Sequence, residues 1–95
     1  MMYKLSWSSG FRRGFKRATR KLPALQEKIF STLEMLSQQP FAPHLQTHKL
    51  HGKLAGLWAC EVEYDCRIVF TFETEPHTGK DLIVLVDIGT HDEVY

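Results

Sequence analysis

Residues 57–73 read LWACEVEYDCRIVFTFE. Two apolar-rich runs, Leu57 to Glu63 and Cys66 to Glu73, alternate with polar residues at the period of strands and flank the dipeptide Tyr64-Asp65. A two-residue connection of this kind predicts a tight hairpin, and Asp is favoured in such turns because its side chain bonds the nearby backbone. Along the second strand Arg67 points outward, and Glu61 is its expected cross-strand partner. Cys60 and Cys66 stand on either side of the turn.

A third strand follows the hairpin. It runs from Leu82 to Ile88 after the polar loop TEPHTGK, in which Gly79 is the expected turn residue. Upstream of the hairpin the period changes. Tyr3-Lys4-Leu5-Ser6-Trp7 alternates like a half-buried strand, and Ser8 or Ser9 then caps a helix whose apolar stripe is Phe11, Phe15, Ala18 and Leu22. Arg12, Arg13, Lys16, Arg17, Arg20 and Lys21 cover the rest of that helix. Pro23 suits the first turn of a second helix, with the stripe Leu25, Ile29, Leu33 and Leu36 and with Phe30 beside it, and Gln39-Pro40 ends it. Pro40 to Ala55 reads as a long connection. The order predicts an α+β fold over residues 1–95, a single domain. In it an N-terminal strand and a two-helix hairpin precede a three-stranded antiparallel meander, and the helices pack on one face of the sheet.

The bulk composition bounds what such a domain does. With 43% hydrophobic and 24% charged residues in 95, the chain is an ordinary globular domain with one modest core. Its longest apolar run is far short of the roughly 20 residues needed to span a membrane, and its first residues do not lead into a secretory h-region. A cytoplasmic protein that keeps two free thiols is the expectation. Two cysteines and the His48-x-x-His51 spacing make a poor zinc site, so neither metal nor cofactor is expected. The net charge of +1 conceals a marked asymmetry. Ten basic against two acidic residues give +8 up to Gly56, and two basic against nine acidic give −7 from Leu57 onward. Segregation of this kind points to a highly charged partner.

If the sheet forms, three regions of chemistry converge. The connection supplies His48, Lys49, His51 and Lys53, the hairpin supplies Glu61, Asp65 and Arg67, and the last strand delivers His91 and Tyr95. Cutting RNA without a metal takes a base for the ribose 2′-hydroxyl proton, cations for the phosphoryl oxygens and an acid for the departing 5′-oxygen. Imidazole, carboxylate and guanidinium supply those roles. Each member alone also has an ordinary reading as a solvated loop histidine, a turn aspartate, a surface ion pair or a frayed tail.

The segments HKLHGKLAGLWACEVEYDCRIVFTFE and LIVLVDIGTHDEVY, with the strand-helix-helix beginning, resemble the RelE/ParE superfamily of toxins from bacterial toxin–antitoxin pairs, most closely its YafQ-like branch. The resemblance covers essentially the whole chain. It implies a ribosome-dependent mRNA interferase whose partners are a cognate antitoxin, the ribosome and mRNA. It also implies catalytic roles for His48, Asp65, Arg67, His91 and Tyr95, the last stacking on or orienting a base. Two positions depart from the pattern: Glu61 stands where the branch has a second histidine, and Cys66 where it has Trp. The base that takes the 2′ proton is therefore Asp65, Glu61 or His48. Arg12, Arg13, Lys16 and Arg17, with Lys49 and Lys53, are the expected contacts to RNA phosphates. The alternatives on the same fold are a gyrase-binding toxin of the ParE kind and a module that only binds antitoxin.

Overall fold

The computed structural model describes residues 2–95. Strand β1 (Lys4–Trp7) leads into α1 (Ser9–Lys21) and α2 (Leu25–Gln38). Next come a 3₁₀ turn at Pro43–Leu45, a two-residue strand β2 (His48–Lys49) and a second 3₁₀ turn at Gly52–Leu54. Strands β3 (Trp58–Glu63), β4 (Cys66–Thr74) and β5 (Asp81–Gly89) follow, and a short helix α3 (His91–Val94) closes the sequence of elements. The sheet order is β1-β5-β4-β3-β2; β1 pairs parallel to β5, and every other pair is antiparallel. The expected α+β architecture is thus present, with two additions. Part of the connection pairs as a fifth strand, and the segment after Gly89 is a helix.

One core joins the helices to one face of the sheet. Ile29, Leu33 and Leu36 of α2 and Phe11 of α1 meet Cys60, Ile68, Phe70, Ile83, Leu85 and Ile88, all buried. Large apolar side chains in such positions each contribute about 1.5–3 kcal/mol. Trp7 packs edge-on against Phe11 and Phe15, at centroid distances of 4.8 and 5.2 Å, and so fixes α1 over β1. Leu22 departs from the expected stripe. The helix ends at Lys21, and Leu22 turns out to 49% exposure. Pro23 likewise precedes α2 rather than opening it, since turn bonds to the Leu22 and Pro23 carbonyls stand in for a side-chain cap.

Helix α1 also solves an edge problem. β1 covers β5 only from Leu82 to Leu85, which leaves the carbonyls beyond it unpaired on that side. The Ser8 hydroxyl, which also caps α1 by accepting from the Phe11 N–H, donates to the Val86 carbonyl at 3.0 Å. Gly10 and Gly14, one turn apart, then bring the helix backbone against the carbonyls of Val86 and Ile88; a Cβ at either would press on those oxygens. Arg17 Nη2 donates to the Ile88 carbonyl at 3.4 Å.

Candidate functional site

Strand register decides which side chains share a face, because directly opposed residues point the same way. Glu61, Arg67 and Gly89 form one cross-strand row, and Ala59, Val69 and Asp87 form the next. Ile68 and Ile88, between the rows, go into the core, so both rows belong to the face away from α2. Arg67 Nη2 lies 3.4 Å from Glu61 Oε1, and both side chains remain about a quarter exposed.

Helix α3 hangs over the end of this face. Thr90 is its N-cap: its hydroxyl accepts from the Glu93 N–H at 3.3 Å, while Glu93 Oε1 accepts from the Thr90 N–H at 2.8 Å. These reciprocal bonds form a capping box. The cap fixes a turn in which His91 and Tyr95 are four residues apart, and their rings meet edge to face at 4.6 Å. Tyr95 is 40% exposed. Partial burial pushes its phenol above the usual range; the Arg67 charge opposes that rise, and Cys60 and Glu61 add to it. The phenol therefore lies within the field of the Arg67–Glu61 pair.

Tyr95 thus stands near Arg67 and Glu61, with His91 against its ring. His48 shares that face of the sheet one strand further out, since it pairs with Ala59, whereas Asp65 lies beyond it in the hairpin turn. His48 is exposed on β2, opposite Ala59, with Nδ1 2.9 Å from the Gln46 carbonyl oxygen. Two strand spacings separate β2 from β4, roughly 10 Å. Asp65 sits exposed in the hairpin turn and helps line a cleft of about 200 Å³ between α1, α2 and α3, together with Arg17, Leu22, Leu25, Cys66 and Glu93. Lys49 lies over the Trp58 ring at 5.5 Å, and Lys53 is exposed in the second 3₁₀ turn.

The basic face of α1 divides in two. Arg17 Nε is 3.0 Å and Lys21 Nζ 3.7 Å from Glu93 Oε2. Arg12 lies over the Trp7 ring at 5.8 Å, and Arg13 and Lys16 have no carboxylate partner among the described residues. Burial pushes the Cys60 thiol up to about 12, with Cys66 and Glu61 adding to it, and burial likewise takes Cys66 up to about 11. Both are neutral thiols near pH 7, not nucleophiles. No group of three metal-ligating side chains occurs among the described residues. Nor is any of their helices long and apolar enough to cross a membrane.

Sequence reasoning missed the part played by Glu93 and Thr90, although Thr90-x-x-Glu93 is the sequence signature of a capped helix start. Gly89 has a packing role that no local pattern announces: a Cβ there would lie 2.8 Å from Glu93 Oε1 and 3.3 Å from Arg17 Nη2.

A five-stranded sheet of this order, backed by two helices, is the fold of the YafQ and YoeB/ParE toxins. The family model described as the bacterial toxin of type II toxin–antitoxin system, YafQ, matches residues 3–95, and the chain belongs to that family. Among solved structures, YafQ from E. coli strain BL21(DE3) is similar with a TM-score of 0.79 at 17% identity, over 98% of each chain. The E. coli DinJ-YafQ toxin–antitoxin complex is similar with a TM-score of 0.77 at 18% identity, over 100% of this chain and 99% of that one. A YoeB/ParE toxin from Agrobacterium tumefaciens has a TM-score of 0.74 at 20% identity, over 93% of this chain and 98% of that one. At such identities the likeness is one of fold. No curated protein sequence matches the chain significantly.

Proposed function

We propose that this protein is a ribonuclease that cuts mRNA on the translating ribosome and is silenced by a cognate antitoxin. The observation that supports the reading is the part-exposed Arg67–Glu61 pair on this face, with the Tyr95 phenol in its field and His91 against the Tyr95 ring. Family membership supports the toxin role, and the DinJ-YafQ complex supports an antitoxin partner.

In the proposed reaction Glu61, the carboxylate set against Arg67, takes the proton of a ribose 2′-hydroxyl. The 2′-oxygen attacks the adjacent phosphorus as the bond to the 5′-oxygen breaks. Charge on the phosphoryl oxygens is met by the Arg67 guanidinium, whose planar fork suits two oxygens at once. His91 gives its proton to the departing 5′-oxygen, and a 2′,3′-cyclic phosphate remains on the upstream fragment. Tyr95 stacks on a base next to the cut. His48 and Asp65, on either flank, contact the strand before and after it. Arg12, Arg13 and Lys16, with Lys49 and Lys53, hold ribosomal RNA phosphates. No step calls for a metal.

The test is primer extension on a reporter transcript in translating extract. Discrete cuts inside translated codons, absent from ribosome-free RNA and lost in His91→Ala while antitoxin binding persists, are the expected result. Intact mRNA with arrested replication would turn the reading to a non-enzymatic toxin.

A further inference from the structure

The segment that carries His91 and Tyr95 is a short, weakly self-supporting element. α3 spans four residues and buries none of them. Helices that short do not persist on their own, because nucleation costs more than one turn returns. Apolar packing through the part-buried Val94 and Tyr95 is slight, so polar contacts have a large share in placing it.

One carboxylate makes these contacts with both oxygens. Glu93 Oε1 accepts from the Thr90 N–H at 2.8 Å and closes the first turn of α3. Glu93 Oε2 faces Arg17 Nε at 3.0 Å and Lys21 Nζ at 3.7 Å, fastening that turn to α1. Arg17 is itself tied to the sheet through the Ile88 carbonyl, and α1 lies with Gly10 and Gly14 directly against β5. The space for the carboxylate exists because residue 89 lacks a side chain. At about 100° per residue, Glu93 stands roughly 200° around the helix from His91, so a clamp on one side presents His91 and Tyr95 on the other.

We infer that Glu93 is a positioning residue for the reaction, fixing His91 and Tyr95 over Arg67 through the Thr90 cap and the Arg17–Lys21 pair, and that Arg17 serves this clamp rather than RNA. The inference rests on the ribonuclease reading for its kinetic consequence and on geometry alone for its structural one.

Steady-state cleavage on programmed ribosomes tests the first. A misplacement of about 1 Å costs on the order of 100-fold, so Glu93→Ala and Gly89→Ala should lower kcat by about that factor with KM near that of the parent. Glu93→Gln keeps an acceptor for Thr90 but drops the charge, and should lose roughly 10-fold. Arg17→Ala should also act on kcat and should add nothing in the Glu93→Ala background. A raised KM with unchanged kcat in Arg17→Ala, or losses that add in the double variant, overturns the clamp. NMR of the His91 ring protons tests the second. They lie within the ring current of Tyr95 and should move toward the values of a solvent-exposed imidazole in Glu93→Ala and Gly89→Ala; parent-like shifts overturn the inference. If the parent itself leaves mRNA uncut, the ribonuclease reading fails, and the ring-proton measurement still decides the clamp.

Discussion

Gly14→Ala sets two effects of known size against each other. In an exposed helix interior the change should stabilise by up to about 1 kcal/mol, the difference in helix propensity. Here the new methyl would collide with the Ile88 carbonyl oxygen and would stand 2.9 Å from Ile88 Cγ2 and 3.1 Å from Asp87 Oδ1. The first obstacle is sheet backbone, which has no rotamer to yield, so α1 has to lift off β5. Overpacking of that kind costs about 1–3 kcal/mol, and backbone against backbone belongs at the upper end. The clash therefore wins, with a net loss of about 1–2 kcal/mol. A domain of this size loses about 4–8 °C of Tm for each kcal/mol, so the drop should be of order 10 °C. Gly10→Ala is the internal comparison: its methyl would meet the Val86 carbonyl at 2.9 Å but nothing else closer than 3.7 Å, so it should lose less. The assay is urea and thermal unfolding of all three proteins, with the urea slope checked for constancy. A Gly14→Ala protein that melts at or above the parent would refute the close helix-to-edge packing.

Three further outcomes follow from the site. Arg67→Lys should recover only part of the cleavage lost in Arg67→Ala, because an ammonium does not reproduce the two-pronged guanidinium; full single-turnover activity in the Lys variant would make Arg67 a surface charge. Tyr95→Phe should cut nearly as fast as the parent and Tyr95→Ala slower by roughly one to two orders of magnitude, the worth of one stacked base at about 1–3 kcal/mol; equal loss in both would give the role to the hydroxyl instead. Neutralising Arg12, Arg13 and Lys16 should flatten the dependence of log affinity for ribosomes on log salt by about 2, at roughly 0.7–0.9 per phosphate contact. An unchanged slope in a pelleting assay would take that face away from RNA.

Much of this architecture was legible in the sequence because its signals are local. The hairpin around Tyr64-Asp65, the cap at Ser8, the stripe of α2 and the turn at Gly79 all appear where periodicity and turn chemistry put them. What escaped depends on partners distant in the chain. β2 is two residues long, and its pairing with Trp58 and Ala59 leaves no periodicity to read. The parallel pairing of β1 with β5 joins segments nearly eighty residues apart. Glu93 looked like one acid in a polar tail until Arg17 and Lys21 stood beside it. Of the candidate site, the register of one hairpin sufficed to pair Glu61 with Arg67, whereas the distances of His48 and Asp65 from that pair are set by the width of the sheet and the projection of its turn.

The charge asymmetry acquires a more exact meaning once the chain is folded. Among the described residues, four of the five ion pairs, Lys4–Glu75, Arg17–Glu93, Lys21–Glu93 and Lys28–Glu63, join a base from the first half to an acid from the second. Part of the +8 and −7 is thus an internal pattern that joins the first half of the chain to the second. Exposed pairs of this kind contribute little stability, about 0–1 kcal/mol each, so their effect lies in orientation more than in adhesion. The fifth pair, Arg67–Glu61, lies within the acidic half and holds the cation that this half sets on its open face. Once Lys4, Arg17, Lys21 and Lys28 are assigned to the fold, the basic side chains without a carboxylate partner among the described residues are Arg12, Arg13, Lys16 and Arg20 of α1, Lys49 and Lys53 of the β2 region, and Lys80. On the proposed ribonuclease reading, these cations supply the long-range attraction for a phosphate chain, and the Arg67 guanidinium, already paired with Glu61, supplies the local one.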